Sequence, residues 1–99
     1  MLLPSGKETI ALELLHSSGD MYGLEMVKAS AGALGRGTIY VILDRLEDKG
    51  FVKSRAEKQP GEAGMPRRLY KITGLGQRAL RAAQSARSIM AGKLVPIGG

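Results

Sequence analysis

Gly35-Arg36-Gly37-Thr38-Ile39-Tyr40-Val41-Ile42-Leu43-Asp44-Arg45-Leu46-Glu47-Asp48-Lys49-Gly50 is the stretch whose reading decides the fold. Ile39, Ile42, Leu43 and Leu46 recur at i, i+3, i+4 and i+7, which is one buried face of an amphipathic helix. Gly50 stands just past the last apolar position, where a glycine ends helices. Gly35 and Gly37 mark the turn that feeds the helix. Arg36, Thr38 and Tyr40, at its N-terminal end, are donors suited to phosphates and base edges, and a helix N-terminus itself favours anions. Taken alone, the stretch fits a recognition helix and an ordinary core helix with a solvated face equally well.

Composition narrows the alternatives. Ninety-nine residues make one domain with a modest core. The absence of cysteine excludes a disulfide framework and a thiolate metal site, and the single histidine, His16, cannot make a zinc site alone. No stretch approaches the roughly 20 apolar residues of a membrane span. Met1-Leu2-Leu3-Pro4-Ser5 is too short for a secretory signal. The expectation is a cytoplasmic protein with no membrane association, cofactor or metal. An enzyme is disfavoured, because no nucleophile–base pair, phosphate loop or metal-ligand spacing is present.

The charge is uneven. The formal net charge is +6. Residues 1–35 carry −2, residues 36–72 carry +4, and residues 73–99 hold four basic side chains and no acid. A basic half on a small domain points to a polyanionic partner, most often nucleic acid, although general solubility charge fits the total as well.

Towards the N-terminus, Ser5-Gly6-Lys7-Glu8 is a capping box, so a helix begins at Gly6 with Ile10, Ala11, Leu14 and Leu15 on its apolar face. Ser17-Ser18-Gly19-Asp20 reads as a loop. Asp20 is a candidate N-cap for a second helix over Met21–Ser30, with Leu24, Met26 and Val27 inward. Ala31–Gly35 then forms the turn of a helix-turn-helix.

Towards the C-terminus the period changes. Phe51–Ala56 and Arg67–Ile72 alternate by two, and Gln59–Pro66 between them is rich in turn residues, which predicts a β-hairpin. With Val52, Tyr70 and Ile72 inward, Lys53, Arg55, Arg67, Leu69 and Lys71 face away. A basic hairpin directly after a recognition helix is a wing whose cations can neutralise phosphates. It also fits a charged edge that blocks strand-to-strand aggregation. Thr73 is a candidate N-cap for a last helix. Along that helix Leu75, Ala79, Ala82, Ala86 and Ile89 are spaced alternately by four and three residues, a short heptad stripe. Such a helix packs on its own domain or on a second copy.

These blocks resemble the PadR family of bacterial winged-helix transcription regulators over about residues 7–80. Tyr22-Gly23-Leu24-Glu25-Met26 looks like the family's Tyr-Gly-x-Glu-Ile. Gly37-Thr38-Ile39-Tyr40, with Leu43 through Val52, looks like its recognition helix and first wing strand. Gly64-Met65-Pro66-Arg67-Arg68-Leu69-Tyr70-Lys71-Ile72-Thr73 looks like its wing return, followed by Gly76. Val41 stands where the family usually has proline.

The resemblance implies a mainly α fold with a small β-hairpin. Residues 1–72 would form a winged helix-turn-helix, residues 73–92 a dimerisation helix and residues 93–99 a disordered tail. It implies a dimeric, sequence-specific DNA-binding regulator of the repressor type, bacterial or phage and nucleoid-associated. Tyr22, Gly23, Thr38, Tyr40 and Arg67 take DNA-binding roles from it. Arg36, Lys53, Arg55, Lys58 and Arg68 join them from charge and strand parity. Leu75, Ala79, Ala82, Ala86 and Ile89, with Leu14 of the first helix, form the expected interface of a homodimer on double-stranded DNA. Some short members hold a planar hydrophobic ligand between subunits through a tryptophan. A small hydrophobic ligand at the dimer interface would here lack that residue. The alternative is a winged-helix module that binds a protein partner and has only non-specific DNA affinity.

Overall fold

The computed structural model describes residues 3–57 and 67–94, with side chains described as far as Ile89 in the last helix. The elements are α1 (Gly6–Ser18), β1 (Met21–Tyr22), α2 (Gly23–Ala29), α3 (Ile39–Asp48), β2 (Val52–Glu57), β3 (Arg67–Ile72) and α4 (Gly74–Leu94). The strands form one antiparallel sheet in the order β1-β3-β2. Four helices with this small sheet make a winged helix. The expected hairpin loop Gln59–Pro66, Lys58 and the tail Val95–Gly99 lie outside the described residues.

α1 starts as expected. The Ser5 hydroxyl accepts from the Glu8 amide at 3.2 Å, and the Glu8 carboxylate accepts from the Ser5 amide at 2.8 Å. Its buried face differs from the expected one. Leu12 is fully buried with Ala11 and Leu15, while Ile10 and Leu14 are only half-buried at the core margin. α1 lies against α3, β3 and α4, so its core face is wider than one stripe.

The second helix starts later than expected. Met21 and Tyr22 are extended and pair with Tyr70 and Leu69 of β3. Asp20 is therefore not the N-cap. Tyr22 takes that position, and its amide donates to Glu25 Oε1 at 2.8 Å. A two-residue strand is too short for periodicity to reveal and exists only because β3 offers an edge. Met26 is fully buried, whereas Leu24 is exposed, contrary to the expectation for that residue.

α3 follows its stripe. Ile39, Ile42, Leu43 and Leu46 are all buried. Its end is a Schellman motif, in which the Gly50 amide donates to the Glu47 carbonyl and the Phe51 amide to the Leu46 carbonyl. Gly50 has φ +79°, the left-handed region that glycine enters freely. Phe51 and Leu46, brought together by this turn, both belong to the core.

Thr73 joins this turn to α4. Its hydroxyl donates to the Gly50 carbonyl at 2.6 Å and accepts from the Gly76 amide at 2.9 Å, while its own amide donates to the Phe51 carbonyl at 3.0 Å. Gly76 is required by contact: a Cβ there would collide with the Phe51 carbonyl oxygen. α4 then lays Ala79, Leu80 and Ala83 against its own domain. It runs to Leu94, two residues past the boundary at 92 taken from the sequence. The nearest helix-breaking proline in the sequence stands only at 96.

Glu8 is buried, yet it is not uncharged. Burial pushes its carboxyl up, but bonds from Lys49 and Ser5 outweigh that and hold it below its ordinary value. Lys49 Nζ lies 2.8 Å from Oε1 and 3.1 Å from Oε2. Lys49 thus pairs across the fold with α1, and not with Asp44, Glu47 or Asp48 on its own helix. Replacing Glu8 with Ala removes the carboxylate half of the capping box and the Lys49 pair, leaving the Ser5 hydroxyl on the residue-8 amide, and should cost about 2–4 kcal/mol in denaturant unfolding. Because the folded-state value is depressed, this stabilisation is complete above the ordinary carboxylate range and fades as pH falls through the folded value. The Tm gap between the parent chain and Glu8→Gln should accordingly narrow on acidification.

Candidate nucleic-acid interface

The fold buries one face of α3 and leaves its N-terminal turn open. Thr38 occupies the N-cap with its side chain exposed, and its hydroxyl makes no capping bond to the helix. Arg36 is exposed in the turn just before it. Tyr40, one residue into α3, is 47% exposed.

Tyr40 is positioned by a glycine on another helix. A Cβ on Gly23 would lie 2.8 Å from Tyr40 Cε1 and 3.1 Å from its Cζ and hydroxyl oxygen. The phenol ring therefore rests against the first turn of α2, where no side chain larger than hydrogen leaves it room. Tyr22 and Gly23 sit together because β1 hands the chain to α2 at this point.

Tyr22 is half-buried beside the wing. Its hydroxyl donates to Glu57 Oε1 at 3.1 Å, and the Arg67 guanidinium stands 5.3 Å from its ring centroid, within cation–π range. Arg68 lies on the opposite face of β3, on the side of Tyr70. Tyr70 is a core residue, 2% exposed. Burial and the nearby Asp44 push its phenol above the ordinary value, so it stays protonated at neutral pH.

Five of the ten expected DNA-binding residues thus come together. Tyr22, Gly23, Tyr40, Arg67 and Arg68 line one depression of about 550 Å³ between α2, α3 and β3. Leu24 and Lys28 line it too and were missed by sequence reasoning. They are i and i+4 on one face of α2, a signal obscured once Leu24 was assigned to the core. The depression has three cations and one acid, Glu25, whose carboxylate is engaged by the Tyr22 amide.

Lys53 and Arg55 lie elsewhere. Strand parity carries them to the sheet face opposite Tyr70 and Arg68, where they line a smaller depression of about 90 Å³ with Lys71, Leu69, Asp20 and Ser54. Arg55 is also 3.7 Å from Glu57. Lys58 lies outside the described residues. Among the described residues no cluster of His, Asp or Glu is suited to a metal ion, and no helix is long and apolar enough to cross a membrane.

Of the expected dimer residues, Ala79 is fully buried in its own chain, and Leu14 and Leu75 pack partly against the core. Ala82 and Ala86 are half-buried and Ile89 is 61% exposed.

Residues 11–82 match the Transcriptional regulator PadR-like family. A transcriptional regulator from Clostridium thermocellum has a similar structure, with TM-score 0.75 and 24% identity, covering 94% of this chain and 90% of that one. A PadR family regulator from Eggerthella lenta gives TM-score 0.75 and 26% identity over 92% of this chain and 82% of its own. Bacillus subtilis PadR, solved with operator DNA, gives TM-score 0.69 and 22% identity over 78% of this chain and 45% of that one. No curated protein matches the chain in sequence.

Gly23→Ala should displace the Tyr40 ring, seen as a shift of its aromatic NMR signals. Tm should be unchanged or slightly higher, because the ring can swing into solvent and alanine is the better helix former.

Proposed function

We propose, from the premise that this chain belongs to the PadR-like family of transcriptional regulators, that it is a dimeric, sequence-specific repressor of the bacterial type acting on double-stranded DNA. The observation that carries the reading is the depression where Tyr22, Tyr40, Arg67 and Arg68 meet beside the open end of α3. A cation-rimmed, aromatic-walled recess next to a helix that fits the major groove suits a sugar-phosphate segment flanking the bases that the helix reads. The similarity of the fold to Bacillus subtilis PadR, which was solved with operator DNA, supports the same reading.

The roles divide by chemistry. Thr38 and Tyr40 face base edges or the adjacent backbone from the first turn of α3. Arg67 and Arg68 neutralise phosphates at the base of the wing, with Arg36 and Lys28 extending that contact. Lys53, Arg55 and Lys58 belong, in this reading, to flanking backbone contacts. A second copy of the chain joins through the outer half of α4, where Ile89 is the most exposed large apolar side chain among the described residues. Two such domains present their recognition helices about one helical turn of DNA apart, so the site is a pseudo-palindrome. Repression follows from occupying a promoter.

Selection of binding sites from random duplex DNA tests the reading. A palindromic consensus bound by two chains is the expected result. No enrichment, with binding that vanishes as salt rises, would leave a partner-binding module instead. Arg67→Ala should weaken binding to all sequences and reduce the salt slope by about one. Thr38→Ala should change discrimination among sequences by about 1–3 kcal/mol if it touches a base. In sedimentation, Ile89→Glu should give monomers, and a variant that stays dimeric would move the interface off α4.

A further inference from the structure

Glu47 and Asp48 sit in the last turn of α3, where the helix dipole disfavours acids. Glu47 nevertheless faces the wing. Its Oε2 accepts from the Ser54 amide at 3.2 Å and from the Ser54 hydroxyl at 2.9 Å. The same hydroxyl accepts from Arg68 Nε at 3.1 Å. A serine hydroxyl has one proton and two acceptor sites, so it donates to the carboxylate and receives from the guanidinium at once.

The chain of bonds therefore runs from the recognition helix, through β2, to β3. Register explains why it can form. Ser54 stands opposite Tyr70, and Arg68 is two residues along β3 on the same face. Nε is the donor nearest the aliphatic stem, so bonding it sets the plane of the guanidinium. It leaves both Nη groups for a ligand, and a planar fork held in one orientation loses less freedom when it meets phosphate. A direct Glu47–Arg68 ion pair would instead use up that fork.

We propose that Ser54 is a positioning residue: its hydroxyl, bridging Glu47 and Arg68, orients the Arg68 guanidinium towards the DNA backbone and ties wing geometry to the recognition helix. The inference rests on the preceding reading of Arg68 as a DNA contact.

Two readouts separate the parts. The first needs no DNA. The Arg68 Nε–H signal in a ¹⁵N spectrum of the full chain should be resolved in the parent protein and in Ser54→Thr, which keeps the hydroxyl. It should collapse to the free-arginine position in Ser54→Ala. A signal unchanged in Ser54→Ala overturns the bridge. The second is affinity for random-sequence duplex DNA as a function of salt. Arg68→Ala should lower the salt slope by about one and the affinity by about ten-fold. Ser54→Ala should lower affinity by about three-fold, with Ser54→Thr restoring it. On the Arg68→Ala background, Ser54→Ala should add nothing.

A merely structural serine would weaken binding on both backgrounds, and that result overturns the positioning role. If Arg68→Ala leaves binding untouched, the DNA-contact reading of Arg68 fails and the positioning role fails with it. The Nε signal then still reports whether the bridge itself exists.

Discussion

The structure depends on how α3 is anchored, most densely at its C-terminal end. Its apolar stripe is wholly buried, and its C-terminal end is tied down on several sides. The Schellman turn at Gly50, the Thr73 hydroxyl on the Gly50 carbonyl, the Lys49–Glu8 pair and the Glu47–Ser54 bonds all converge there. The N-terminal turn carries no comparable set of ties. Thr38 does not cap it, and Tyr40 rests against a glycine. The contacts at the C-terminal end fix the direction of the helix and leave its first turn exposed.

The same economy governs the charges. Glu8 and Glu47, both near the tethered end, are consumed by internal partners, so they do little to offset the cations facing outwards. Glu25 is taken up by the backbone of β1, and Glu57 by Tyr22 and Arg55. Arg68, Lys28 and Arg36 stay exposed. An arrangement that spends its acids on structure leaves a surface more positive than composition suggests, and that surface borders the open end of α3.

α4 divides its length between two environments. Its first half belongs to the domain core, with Gly76 pressed on the Phe51 carbonyl and Ala79 and Leu80 buried. The heptad stripe seen in the sequence runs across both halves, which is why it combines residues committed to the chain's own core with residues such as Ile89 that are not. A spacing pattern reports a face of a helix and does not report what covers it.

Much of the fold was legible because its signals are local. The α3 stripe, the Ser5–Glu8 capping box, the Gly50 stop and the alternation of β2 and β3 each involve residues within a few positions of one another, where backbone geometry alone dictates the pattern. The family resemblance likewise came from short blocks in order. What only the tertiary structure decided involves residues far apart in the chain. β1 exists because β3 offers an edge; Lys49 finds Glu8 across 41 positions and Tyr22 finds Glu57 across 35. Gly23 makes room for a ring on a different helix. Strand register sends Lys53 and Arg55 to one face of the sheet and Arg68 to the other. Charge and parity name the candidate cations, but only packing assigns them to a common surface. Which side of a sheet faces α3 depends on where that helix is anchored, and no local pattern encodes that.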